Sequence, residues 1–227
     1  MALLEVCVES LDGLRAAAAC GASRVEVCSR LDLGGLSPSR ELLAAALLST
    51  SLPVHVLVRL RPGGFVGTPS EIEVLQAEIA GLRAARAAGV VVGVLTRDAR
   101  VDLEAMRRLV AAARPMSVTF HRAFDEIPDK ARALEDLVGL GVDRVLTSGG
   151  AQDAFAGIEV IRDLVERARG RIVVMAGGGV RPHNVAAILS RTGVPELHSS
   201  VPFDLSEAHP SPSGNRHERR KLPGRPG

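Results

Sequence analysis

Residues 3–29 read LLEVCVESLDGLRAAAACGASRVEVCS. Leu4, Val6 and Val8 alternate with Glu5, Cys7 and Glu9, the period of two that marks an extended strand. Residues 11–20 are rich in Leu and Ala and stop at Gly21, the signature of a short helix closed by a glycine. Residues 24–29 resume the alternation, with Val25 and Val27 on one face and Glu26 and Cys28 on the other. A strand, a helix and a second strand in about 27 residues imply parallel pairing through a right-handed crossover.

The same unit recurs along the chain. Strand-like runs are expected at 3–9, 24–29, 54–60, 90–95, 116–121, 143–147, 171–176 and 195–200. Helices are expected at 11–20, 38–50, 70–88, 128–139, 154–168 and 182–191, the second introduced by Ser37-Pro38 and the third stopping at Gly89. Eight such units in about 200 residues fit a closed TIM-type (β/α)8 barrel better than an open doubly wound sheet. Only five phenylalanines, no Trp and no Tyr are present, so the core must be aliphatic. Net charge is +2, and residues 201–227 carry that whole surplus, five basic against three acidic side chains. The neutral body shows no basic stripe and few stacking aromatics, which excludes a nucleic-acid partner. No apolar run approaches the ~20 residues of a membrane span, and no leader is expected before the first strand. An odd count of three cysteines without disulfide spacing reads as free thiols in a reducing compartment.

Strand parity gives the functional clue. The Val and Leu faces should lie under the helices, which turns Glu5, Cys7, Glu26, Cys28, His55, Arg59 and His121 into the barrel. Buried unpaired charges are costly, so these groups should pair with one another or with a ligand. A network that only fixes barrel geometry is the plainer alternative.

The residues now resemble a known family. Glu5-Val6-Cys7-Val8-Glu9-Ser10, Arg24-Val25-Glu26-Val27-Cys28-Ser29, Arg59-x-Arg61, Val118-Thr119-Phe120-His121-Arg122-Ala123-Phe124-Asp125, Val145-Leu146-Thr147-Ser148-Gly149, the run Arg171–Val180 and Glu196-Leu197-His198-Ser199-Ser200 are similar to the CutC copper-homeostasis family. The resemblance covers residues 3 to about 201. It implies a TIM-type barrel, a cytoplasmic or nuclear location, an often oligomeric state, and Cu(I) binding by strand cysteines. The chain departs from the family at three places. About three residues are missing before the fourth strand, where Gly89 runs straight into Val90. Gly64 and Gly67, not Asp and Tyr, flank Phe65. After the eighth strand the closing helix is replaced by residues 202–227, a Pro/Arg-rich stretch expected to be disordered. Without that helix, apolar strand faces should be exposed.

Cys7 and Cys28 are the candidate Cu(I) ligands, because neighbouring strands run ~4.8 Å apart and a soft monovalent ion prefers sulfur. A buried free cysteine can equally be a small hydrophobe, which is the reading for Cys20. A competing activity is a barrel enzyme for a small phosphorylated or carboxylated metabolite. Glu26 or His121 would then be the acid/base, Arg59 and Arg122 would clamp the anion, and the turns at Ser148-Gly149 and Gly177-Gly178-Gly179 would cradle it. His198 also faces the mouth. No His pair at helical zinc spacing and no CxxC pair is present.

Overall fold

The computed structural model describes residues 2–205. Its elements are β1 (Leu3–Val8), α1 (Leu11–Ala19), β2 (Arg24–Val27), α2 (Arg40–Ser49), β3 (Val54–Leu57), α3 (Pro69–Ala84), β4 (Gly89–Val92), α4 (Leu103–Ala113), β5 (Ser117–Phe120), α5 (Lys130–Gly139), β6 (Arg144–Thr147), α6 (Ile158–Ala168), β7 (Val173–Gly177), α7 (Pro182–Thr192) and β8 (Glu196–Ser199). Each strand pairs in parallel with the next, and β8 returns to β1 with Glu5 opposite His198, closing the barrel. All eight expected strands are present.

Helix starts follow side-chain caps. Ser10, Ser39, Asp102 and Asp129 each accept an N–H from the first turn of α1, α2, α4 and α5. Thr68 and Glu71 form a reciprocal capping box on α3, with Pro69 at the first helical position. The cap of α2 is Ser39, so Ser37-Pro38 lies outside the helix. The helix α4 was not expected, yet its Asp102 cap and its buried Ala105, Met106, Leu109, Val110 and Ala113 are a regular helical pattern.

Valines and leucines on the outward strand faces meet the inner faces of the helices. Val6, Val25, Val56, Val90, Val118, Val145 and Leu197 are all fully buried there. Each such side chain contributes about 1.5–3 kcal/mol of transfer free energy. Seven α-helices are found among the described residues, and none follows β8 within them. The bare strand faces expected from that are absent: Leu4, Val6, Val8 and Leu197 are covered, and Phe203 packs into the same core. Residues 206–227, most of the expected disordered stretch, lie outside the described residues.

Inside the barrel, Cys7, Cys28, Leu57 and Val91 form a small separate apolar cluster. Gly89 does not stop α3, whose C-cap is Ala85; it is the first residue of β4. A β-carbon there would stand 2.5 Å from His55 Nε2, so the glycine is the space that the inward imidazole fills. Gly93 does the same for His121, whose ring would meet a β-carbon at 2.7 Å.

These two kinds of glycine predict opposite signs. Gly89→Ala should destabilise the protein by about 1–3 kcal/mol, the usual cost of overpacking. Gly81→Ala, in the exposed interior of α3 with open space around it, should stabilise by about 0.5–1 kcal/mol. Urea unfolding of the two variants beside wild type checks both signs.

Candidate metal centre

The floor of the barrel is built from charged residues at the N-terminal ends of the strands. Arg24 donates to Glu5 Oε2 at 2.5 Å and to Glu196 Oε2 at 2.6 Å. Arg144 grips Glu196 with two bonds, Nε to Oε2 at 2.5 Å and an Nη to Oε1 at 2.9 Å. Its other Nη reaches Ser117 and Thr119. Two guanidiniums and two carboxylates are thus buried as a neutral set, which is how interior charge becomes tolerable. Sequence reasoning placed Glu5 inside but missed its partner Arg24 and the Arg144–Glu196 pair that completes the set. Parity carried that signal, since Arg24 and Glu196 lie two residues from Glu26 and His198.

Burial alone would raise the Glu5 carboxyl. The hydrogen bond from His198 and the charge of Arg24 outweigh it and hold Glu5 well below the ordinary carboxylate range. Glu196 is likewise lowered, against its own burial, by Arg144 and Arg24. His55 is buried beside this set, but its Nδ1 stands 3.7 Å from Glu5 Oε2 and has no hydrogen-bond partner. Burial pushes its pKa down to about 4, so the ring is neutral.

Above the floor, Glu5 Oε1 receives His198 Nδ1 at 2.8 Å, and His198 Nε2 points to Glu26 Oε2 at 3.5 Å. His198 is raised overall: burial lowers it, but Glu5 and Glu26 prevail. Burial pushes Glu26 up to about 7, with the Glu5 charge adding to the rise. Cys7 Sγ faces Cys28 Sγ at 2.9 Å, both thiols buried. The hydrogen bond with Cys28, burial and the Glu26 charge raise the Cys7 thiol well above its usual value. Cys7, Glu26 and His198 each offer a ligand atom, and these lie within 4.8 Å of one another. Cys20 sits apart at the end of α1, its thiol on the Ala17 carbonyl.

A cavity of about 100 Å³ opens above this cluster, lined among others by Cys7, Glu26, Leu57, Phe65, His121 and His198. Arg59 belongs to its rim and not to the charged interior. Its guanidinium bonds to the carbonyls of Gly34, Gly35 and Gly63 and lies 4.8 Å above the Phe65 ring. The expected pairing of Arg59 with interior carboxylates is therefore replaced by Arg24 and Arg144, whose strand positions are deeper. His121 accepts the Ala123 N–H on Nδ1 and packs on Phe65; burial, aided by Arg59, lowers it to about 3.

The expected anion cradles differ from each other. Asp125 fills the first with its own carboxylate, taking the Thr147 and Ser148 hydroxyls and the N–H groups of Ser148 and Gly150. Arg122 bonds to Asp125 and Ser148 in the same knot. At the second, Gly178 and Gly179 have positive φ, and a β-carbon on Gly178 would stand 3.1 Å from Arg122.

Fold and site together define a TIM-type barrel of eight parallel strands and, among the described residues, seven helices, with a sulfur, imidazole and carboxylate cluster toward the C-terminal strand ends, where barrel sites lie. Sequence profiles of the CutC family match residues 2–202. A CutC family protein of Sinorhizobium medicae is 46% identical over 198 residues, covering 87% of this chain and 80% of the relative. A human protein named copper homeostasis protein cutC homolog is 45% identical over 199 residues, covering 88% and 73%. The crystal structure of a putative copper homeostasis protein CutC from Streptococcus agalactiae superposes with a TM-score of 0.84 at 34% identity, covering 88% and 99%. The chain belongs to the CutC family.

Two pH limbs of opposite sign follow from the interior carboxyls. Glu5 and Glu196, lowered on folding, add stability that is complete above about pH 4.5 and lost as pH falls below it. Glu26, raised on folding, adds stability that is complete below pH 4.5 and lost as pH rises through about 7. Glu26→Gln should flatten the second limb. Glu196→Gln should cost about 3–5 kcal/mol at neutral pH, because it leaves two buried guanidiniums short of a charge. Unfolding free energies measured from pH 3 to 9 check all of this.

Proposed function

We propose that this chain acts in copper homeostasis by holding Cu(I) between Cys7 and Cys28. The observation that carries the reading is the pair of buried thiols, 2.9 Å apart, pointing at one another inside a closed barrel. Soft thiolates select Cu(I), which accepts two ligands. Leu57 and Val91 pack against the two cysteines and give the pair one apolar side. The names of the human and streptococcal relatives support the copper role.

Metal–sulfur bonds are about 2.3 Å, so a linear S–Cu–S unit spans about 4–5 Å. The thiols must therefore part by more than an ångström when the ion binds. Cys7 lines the cavity and Cys28 does not, so Cys7 is the ligand with room to turn. Binding also releases thiol protons, and since the Cys7 proton is held tightly, apparent affinity rises with pH.

A second reading is an enzyme acting on a small phosphorylated or carboxylated anion. One arrangement favours it: Glu26, raised to about 7, lies beside a cavity, where perturbed carboxyls often serve as acid or base. Gly177–Gly179 with Arg122 above it would hold the anion.

Anaerobic Cu(I) titration against a competing chelator tests the first reading. Wild type should bind one equivalent, and the Cys7→Ser/Cys28→Ser variant should lose stoichiometric binding. Equal binding by both proteins would overturn the thiolate assignment. Inorganic phosphate should raise the melting temperature of wild type more than that of Arg122→Met if the second reading holds; equal response removes it.

A further inference from the structure

The cluster at the mouth contains more donor atoms than a two-coordinate soft ion uses. Glu26 Oε2 and His198 Nε2 are 3.5 Å apart, and Cys7 Sγ completes a triangle whose atoms lie within 4.8 Å of one another. In a tetrahedral site with bonds of about 2.0–2.3 Å, ligand atoms sit about 3.3–3.8 Å from each other. The oxygen–nitrogen edge already has that length. The edges to Cys7 stay within 4.8 Å, and Cys7 borders the cavity into which its side chain can turn.

The histidine is prepared for the purpose. His198 Nδ1 is engaged by Glu5 Oε1 at 2.8 Å, and Glu5 is in turn held as a carboxylate by Arg24 at 2.5 Å. A carboxylate acceptor keeps one ring proton on Nδ1, so a metal that displaces the other proton meets the Nε2 lone pair on the side of Glu26. This carboxylate–histidine arrangement is the one that orients metal-bound imidazoles. Charge selects the ion. A thiolate, a carboxylate and a neutral imidazole carry two negative charges, which a divalent cation cancels in a buried site and a monovalent one does not. The mixed sulfur, nitrogen and oxygen donor set suits a borderline ion of the zinc class. The 100 Å³ cavity adjoins all three side chains and leaves a fourth position accessible to water or a small anion.

We infer that Cys7, Glu26 and His198 form a second site, for a divalent borderline cation, which shares Cys7 with the Cu(I) pair. The two ions then exclude each other. The triad itself does not depend on the Cu(I) assignment; only the exclusion rests on it. The ligands come from β1, β2 and β8, far apart in sequence, so no short spacing motif reveals them.

Anaerobic titration with Co(II), a spectroscopic substitute for Zn(II), tests the inference. Wild type and Cys28→Ser should bind one equivalent with a near-ultraviolet thiolate-to-cobalt band. Cys7→Ser should lose the band, and Glu26→Gln and His198→Ala should each weaken binding at least ten-fold. Glu26→Gln should still take up one equivalent of Cu(I), which also shows that it is folded. One equivalent of Cu(I) should expel Co(II) from wild type. Absence of the band in wild type, or unchanged Co(II) affinity in Glu26→Gln, would overturn the mixed site. Loss of Cu(I) binding in Cys28→Ser with Co(II) binding kept would support both sites. Cu(I) binding retained in Cys28→Ser would count against the thiol pair alone.

Discussion

Four charges buried in the barrel floor constrain everything above them. Arg24 and Arg144 can be dehydrated only because Glu5 and Glu196 meet them at hydrogen-bond distance, and neither carboxylate could be buried alone. The four residues belong to β1, β2, β6 and β8, so the set ties together strands on both sides of the barrel's closure. Its second consequence is chemical. By fixing Glu5 as an anion, Arg24 fixes His198, and His198 turns its free nitrogen toward Glu26 and Cys7. Structural and functional halves of the interior share one carboxylate.

The alternation of strands and helices was readable because the strand faces differ so sharply. A run such as Leu4-Glu5-Val6-Cys7-Val8 has one arrangement that covers its valines, and that arrangement puts Glu5 and Cys7 in the lumen. The same logic located Glu26, Cys28 and His55. Helix α4 escaped the reading although its buried side chains repeat regularly, because Arg97, Arg100, Arg107 and Arg108 make the region look like a charged loop. Gly89 suggested a helix end, whereas its real role depends on His55, 34 positions earlier in the chain. Such a contact is visible only once β3 and β4 are paired.

The rim shows how far parity reasoning extends. Arg59 has the inward parity of His55, but it follows the end of β3, where the chain has left the sheet and its side chain folds over the loops. Asp125 illustrates the opposite case. It closes a fold-back of Ser148–Gly150 from more than 20 residues away, giving a glycine turn an internal anion where an external one was expected. Local sequence shows that such a turn favours negative charge, and only tertiary structure shows who supplies it. The cavity at the mouth mixes apolar and charged walls, and its reactive atoms come from three strands.

The copper assignment requires sulfur from both of the first two strands to reach one soft ion. X-ray absorption at the copper edge of anaerobically loaded protein examines that bond directly. It should show a first shell of two sulfurs and no nitrogen or oxygen. A shell of nitrogen and oxygen with no sulfur would contradict it.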